Sequence, residues 1–304
     1  MSVIITANLC KRYGRQEVLH NLNLEIGSGQ LVGFLGPNGA GKTTTIRILL
    51  GLLRATSGDA HVFGKSVERF GKQIRHEIGY LPGDVHFYSN MTGRATLDFL
   101  ARCRRRDCRA EILRLADVLD LDLRKSVRKY STGMRQKLGL IQALMHRPQL
   151  LILDEPTNGL DPLVRKSLFE ELKSVIQDGR SVVFSSHSLN EVEQLCDQVI
   201  ILRSGEIVEQ QSIEVLKSKA LRRVEFAFCE EQLQANSLLQ ANPLPSALQI
   251  SSRSPGLIKG TWTGGMEALL SWLQPLQVTD LIVERPDLND LFMTYYSRQR
   301  GLSD

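Results

Sequence analysis

Cysteine is scarce and poorly placed for chemistry. The 304 residues hold five, at Cys10, Cys103, Cys108, Cys196 and Cys229. The number is odd, and no two share the CxxC spacing of a zinc or dithiol site. Cys103 and Cys108 stand among arginines, a poor setting for a metal. Reduced thiols in a cytosolic protein are the expectation. A run of about 18 apolar residues is also missing, so the chain is not expected to cross a bilayer itself. The opening MSVIITANLCKRYG has no long apolar core, and a secretory signal is not expected. Internal repeats and low-complexity tracts are absent. Charge of one sign is weakly favoured, and only locally. The first 211 residues hold 29 basic and 23 acidic side chains, the remainder 9 and 10. A phosphate site or a nearby anionic membrane surface would suit that surplus, though neither is required.

What is present is an ordinary globular composition, 42% apolar, too much for a disordered chain. Residues 3–9 and 18–26 read as strands, the second (VLHNLNLEI) alternating as a half-buried strand does. LVGFLG at 31–36 is continuously apolar, the pattern of a strand covered on both faces. LLILDEP at 150–156 and SVVFSS at 181–186 repeat that pattern. IRILLGLL, 94–118 and VRKSLFEELKSVIQ read as helices. Strands alternating with helices predict an α/β fold with a mostly parallel sheet.

The character changes near residue 218. The segment 219–304 reads as strand, helix (EQLQANSLL), two strands, helix and strand. That βαββαβ order belongs to a split, ferredoxin-like unit. A last helix, DLNDLFMTYYSRQR, closes the sequence. Two domains are therefore expected: 1–218, with a helical part at about 84–146, and a smaller α+β domain at 219–304.

GPNGAGKT, residues 36–43, fits G-x-x-x-x-G-K-[ST] between a strand and a helix, the context that marks a P-loop. Gly36, Gly39 and Gly41 let backbone N–H groups wrap phosphates, with the helix N-terminus behind them. Pro37, Asn38, Ala40 and Thr44 complete the cradle. Lys42 reaches the β- and γ-phosphates, and Thr43 offers a hydroxyl to Mg²⁺. LLILDE then presents Asp154 for Mg²⁺ and Glu155 as general base toward water. These features alone define a nucleotidase.

A third stretch narrows the class. YSTGMRQ, from Tyr130, resembles the LSGGQ signature of ABC transporter ATP-binding subunits. PTNGLD with Asp161 is similar to their D-loop. His187 in SSHSL resembles their switch histidine at the γ-phosphate, and Tyr13 in KRYG the aromatic that stacks on adenine. Order and spacing agree over roughly 3–215. The resemblance implies an ABC-type ATPase core with an antiparallel β part and a helical part. It also implies a homodimer with two ATP between the copies. Ser131 and Gly133 would then face the partner's nucleotide. Thr132 stands where the family usually has glycine, and Met134 where it has glutamine.

The family usually has a glutamine where this chain reads Gly83-Asp84. Three readings stay open: Asp84 acts near the metal, water fills the gap, or hydrolysis is lost. Beyond it, His86, Phe87 and Tyr88 either receive a helix of a membrane subunit or pack the helical part. The arginines at 102–109 are a solvated helix face, a lipid contact or, least of all, a nucleic-acid patch; no nucleic acid partner is expected. The implied function is that of a peripheral ATPase on the cytoplasmic face of the membrane. It would power a separate permease that exports a drug, antibiotic, lipid or similar compound. The alternatives are an ATP-binding regulatory protein with little hydrolysis, and a non-transport ABC ATPase.

Overall fold

The path of the chain follows its apolar pattern. The computed structural model describes residues 1–219, 222–227, 244–254, 256–276 and 278–284. Two compact units are present, Met1–Ile213 and Glu214–Asp304. The first opens with strands β1 (Ser2–Tyr13), β2 (Gln16–Gly27) and β3 (Leu31–Leu35), then helix α1 (Lys42–Leu49). Strands β4 (Ser57–Val62) and β5 (Lys65–Ser66) lead to α2 (Val67–Glu77) and β6 (Ile78–Leu81). Three helices follow: α3 (Gly93–Arg104), α4 (Arg109–Val118) and α5 (Thr132–Leu144). The rest alternates: β7 (Leu150–Asp154), α6 (Pro162–Gln177), β8 (Ser181–Ser186), α7 (Leu189–Leu195), β9 (Gln198–Arg203) and β10 (Glu206–Ser212).

The central sheet has the order β10-β9-β3-β8-β7-β6. From β9 to β6 every pairing is parallel; β10 runs antiparallel at the edge. Every residue of β3, β7 and β8 is buried, as a parallel sheet covered on both faces requires. A second, antiparallel sheet has the order β2-β1-β4-β5. In β2 the buried residues Leu22, Leu24 and Ile26 alternate with exposed ones, the mark of a sheet with one wet face.

The expected helix over 94–118 is two helices. Arg105 takes a left-handed conformation (φ 54°) and ends α3, a common way to stop a helix. The Asp107 carboxylate then accepts the Arg109 N–H (3.1 Å) at the start of α4. Elsewhere the starts are capped as the residue types direct. Thr92 accepts from Ala95 N–H (3.2 Å), Ser131 from Met134 N–H (3.2 Å) and Asp161 from Val164 N–H (3.0 Å).

Past α8 (Ile213–Lys219), the second unit holds β11 (Arg222–Ala227), β12 (Leu248–Ser254), β13 (Leu257–Trp262), α9 (Met266–Leu273) and β14 (Asp280–Val283). Its sheet has the order β12-β13-β11-β14 with antiparallel neighbours throughout. A split βαββαβ chain produces that order. Val224, Phe226, Ile258 and Trp262 pack with Leu269 and Leu273 of α9 in one core. The expected helices EQLQANSLL and DLNDLFMTYYSRQR lie outside the described residues. No described helix is long and apolar enough to cross a membrane.

Candidate functional site

The site lies at the carboxyl ends of the central strands, where open α/β sheets gather their ligands. β3 runs into the glycine-rich loop and α1. Two glycines there do what no other residue does. Gly39 has φ 84° and Gly41 φ 106°, angles that suit residues without a Cβ. A Cβ on Gly41 would come within 2.6 Å of Leu19; one on Gly39 would meet nothing within 4 Å. The loop is held from behind, with Gly205 N–H donating to Ala40 O (3.0 Å). Pro37, Asn38, Gly39, Gly41, Lys42, Thr43 and Thr44 line a pocket of about 220 Å³, joined by Val18, Gly83, Asp154 and Glu155. Gly36 and Ala40 support the loop without lining the pocket.

Lys42 is 6% exposed. Its ammonium donates to Gly36 O and Pro37 O and stands 3.7 Å from Glu155 Oε1. Burial lowers its pKa, opposed by Glu155 and Asp154. A buried ammonium bonded to its own loop is a charge ready to exchange carbonyls for phosphate oxygens.

Asp154, 2% exposed, has both oxygens occupied: Oδ2 accepts from Thr43 Oγ1 (2.8 Å) and Oδ1 from Ser185 Oγ. Carboxylate and hydroxyl oxygens are the hard donors that Mg²⁺ takes beside nucleotide phosphates, so Thr43 and Asp154 fit that ion.

Glu155 has φ 50°, a strained conformation for a residue with a Cβ. Side chains hold its backbone and its carboxylate. Its N–H donates to Ser185 Oγ (3.0 Å), its carbonyl accepts from Gln136 Nε2 (3.1 Å), and Oε2 lies 2.7 Å from His187 Nδ1. Since a carboxylate only accepts, the histidine nitrogen carries the hydrogen. The result is a fixed carboxylate beside the phosphate loop with an exposed ring attached.

Gly83 lines the same pocket, and a Cβ there would lie 3.6 Å from Asp154 Oδ2, an ordinary contact. Asp84 turns elsewhere: its Oδ2 pairs with His86 Nε2 (2.8 Å), and both side chains are more than four-fifths exposed. The Asp84 side chain therefore does not line this pocket. Tyr88 is 70% exposed, and Phe87 is half-buried.

The signature is away from this pocket. Ser131 caps α5, and Gly133 packs so tightly on the D-loop that a Cβ would fall 2.4 Å from Gly159 O. Thr132 and Met134 complete that turn, and Asp161 caps α6 with Lys137 Nζ 4.0 Å from Oδ2. Tyr13 ends β1, 47% exposed, with the Lys11 ammonium 5.0 Å from its ring centre. Sequence reasoning missed Val18, Gln136 and Ser185. The one available signal was Ser185, a buried hydroxyl next to the apolar run Val182–Phe184 of β8.

This fold and phosphate site define a P-loop ATPase, and the chain belongs to the ABC transporter family as an ATP-hydrolysing, ATP-binding subunit. The ABC transporter profile matches residues 19–158. The chain is 41% identical over 236 residues to the bacitracin transport ATP-binding protein BcrA of Bacillus licheniformis, covering 76% of this chain and 77% of that one. It is 33% identical over 294 residues to the daunorubicin resistance ATP-binding protein DrrA3 of Streptomyces coeruleorubidus, covering 93% and 92%. A solved ATP-binding subunit of an ABC transporter superposes with TM-score 0.66 at 28% identity, over 71% of this chain and 92% of that one.

Proposed function

We propose that the chain powers a separate membrane permease that exports an antibiotic-like compound, working as a homodimer on the cytoplasmic face of the membrane. The observation that carries this is a division of the site. The phosphate loop, Asp154 and Glu155 share one pocket, while Ser131 and Gly133 occupy a helix start outside it. Each copy thus offers one half of a composite site. In a head-to-tail pair, the start of α5 would give the partner's γ-phosphate N–H donors and a positive helix end. The relatives named for bacitracin transport and daunorubicin resistance support the class of cargo.

In this reading Lys42 binds the β- and γ-phosphates and the loop amides orient them. Thr43 and Asp154 hold Mg²⁺, which would neutralise phosphate charge. Glu155 accepts the proton of the attacking water, and His187 steadies that carboxylate and meets the γ-phosphate. Tyr13 stacks on adenine. Asp161 crosses toward the partner. Exposed Tyr88 and its neighbours form part of the permease-facing surface.

The test is light scattering of Glu155→Gln with Mg-ATP. A shift from monomer to dimer with ATP but not ADP is expected, and its loss when Ser131→Asp is added. A chain that stays monomeric with ATP bound would refute the composite site. For the permease, the expectation is recovery of the wild-type chain with membranes after a high-salt wash, together with an integral membrane protein. Quantitative release into the soluble fraction would refute that part.

A further inference from the structure

Glu191 is a buried carboxylate that the reading above does not use. It lies in the first turn of α7 and is 8% exposed. Its Oε2 accepts from two hydroxyls, Thr157 Oγ1 at 3.0 Å and Ser186 Oγ at 2.8 Å. Its Oε1 faces the Arg165 guanidinium, with Nη1 at 3.3 Å. A buried carboxylate is costly unless paired and hydrogen-bonded, and here both oxygens are used.

The partners come from the two segments that matter most beside the phosphate loop. Ser186 directly precedes His187, and its Oγ also accepts the Ser188 N–H (2.9 Å). One hydroxyl therefore ties together both ends of the turn that carries His187. Thr157 is two residues past Glu155. Arg165 is in the first turn of α6, and its N–H donates to Asp161 O (3.0 Å). Thr157 is 4% exposed and Ser186 1%, so water does not compete for these bonds.

We infer that Glu191 is a positioning residue for ATP hydrolysis, a clasp that fixes the His187 turn against the segment leading to Asp161. It is not among the residues that line the phosphate pocket. It sets where His187 stands relative to Glu155, and it makes the D-loop and the histidine move as one piece. The inference rests on the assignment of His187 and Asp161 to the reaction.

A double-mutant cycle tests it. ATP turnover and ATP affinity are measured for wild type, Glu191→Ala, His187→Ala and the double variant. Glu191→Ala is expected to lower kcat about tenfold, with ATP affinity within about twofold, since misplacement of a catalytic group costs rate rather than binding. In the His187→Ala background, Glu191→Ala is expected to cost under about twofold, because the two act as a unit. Glu191→Gln, whose amide oxygen can still take both hydroxyls, is expected within about threefold of wild type. An unchanged kcat in Glu191→Ala overturns the inference. So does an equal loss in both backgrounds, which marks a residue that only supports the fold. If Glu191→Ala does not fold, Ser186→Ala replaces it in the same cycle with the same reading. An impaired His187→Ala with additive losses sinks the clasp alone. An unimpaired His187→Ala sinks the site assignment and the clasp together.

Discussion

His187 Nδ1 lies 2.7 Å from Glu155 Oε2, a direct contact between residues 32 positions apart. The Glu155 side chain is 15% exposed and that of His187 62%. A sheltered carboxylate is thus joined to a ring that faces outward. Glu155→Gln keeps the shape and removes the basic oxygen. It is expected to lower kcat by about 10²–10⁴ with ATP still bound, the range of general-base loss. Phosphate release and equilibrium ATP binding check this. Near-normal turnover would remove Glu155 from its role.

Gly83→Gln is expected to be well tolerated. Nothing stands closer than 3.6 Å to the new Cβ, so the variant should melt within about 4 °C of wild type, near 1 kcal/mol. Turnover is expected within about tenfold, or 1.4 kcal/mol of barrier. A larger gain would mean that Gly83 acts as a brake.

Gly133→Ala is expected to be costly. The added methyl would lie 2.4 Å from the Gly159 carbonyl, which is backbone and yields little. Overpacking of this kind costs about 1–3 kcal/mol, readable as a lower urea midpoint. An unchanged midpoint would show that the D-loop gives way freely.

His146 makes stability depend on acid. The residue is 4% exposed; Nε2 donates to Ile78 O (3.3 Å), and Nδ1 has no partner among the described residues. Burial first, then Arg104, Arg106 and His76, push its pKa down to about 3, while the Ile78 carbonyl opposes them. The ring stays neutral in the fold and charges freely once unfolded. Its contribution is therefore complete above about pH 6.5 and is lost as pH falls toward 3, a few kcal/mol over that window. Unfolding free energies at about pH 7 and 4.5 should differ less in His146→Leu than in wild type. An equal difference would refute the assignment.

The phosphate loop was legible because its chemistry is local: glycines, lysine and threonine at fixed spacing between a strand and a helix. The apolar runs that became β3, β7 and β8 were legible for the same reason. The supports of Glu155 were not. Gln136 and Ser185 reach it from 19 and 30 positions away, and no periodicity encodes which side chains a parallel register brings together. Asp84 shows the same limit at short range. It is adjacent to the pocket-lining Gly83, yet its carboxylate swings to His86, a choice of side-chain rotation that sequence does not carry. The break at Arg105 escaped because a left-handed arginine has no signal of its own.

Ser131 has one more consequence. Its Oγ already accepts the Met134 N–H, and that bond uses a lone pair, leaving the hydroxyl hydrogen outside it. Aspartate caps a helix about as well but has only lone pairs to offer when ionised. In the proposed head-to-tail pair the position would serve two masters with different demands. The fold asks for an acceptor, and an anion arriving from outside asks for a giver of hydrogen. Serine can satisfy both at once, so under the proposed pairing an exchange chosen for helix stability alone would leave a sound fold whose side chain has no hydrogen to extend to the partner's phosphate.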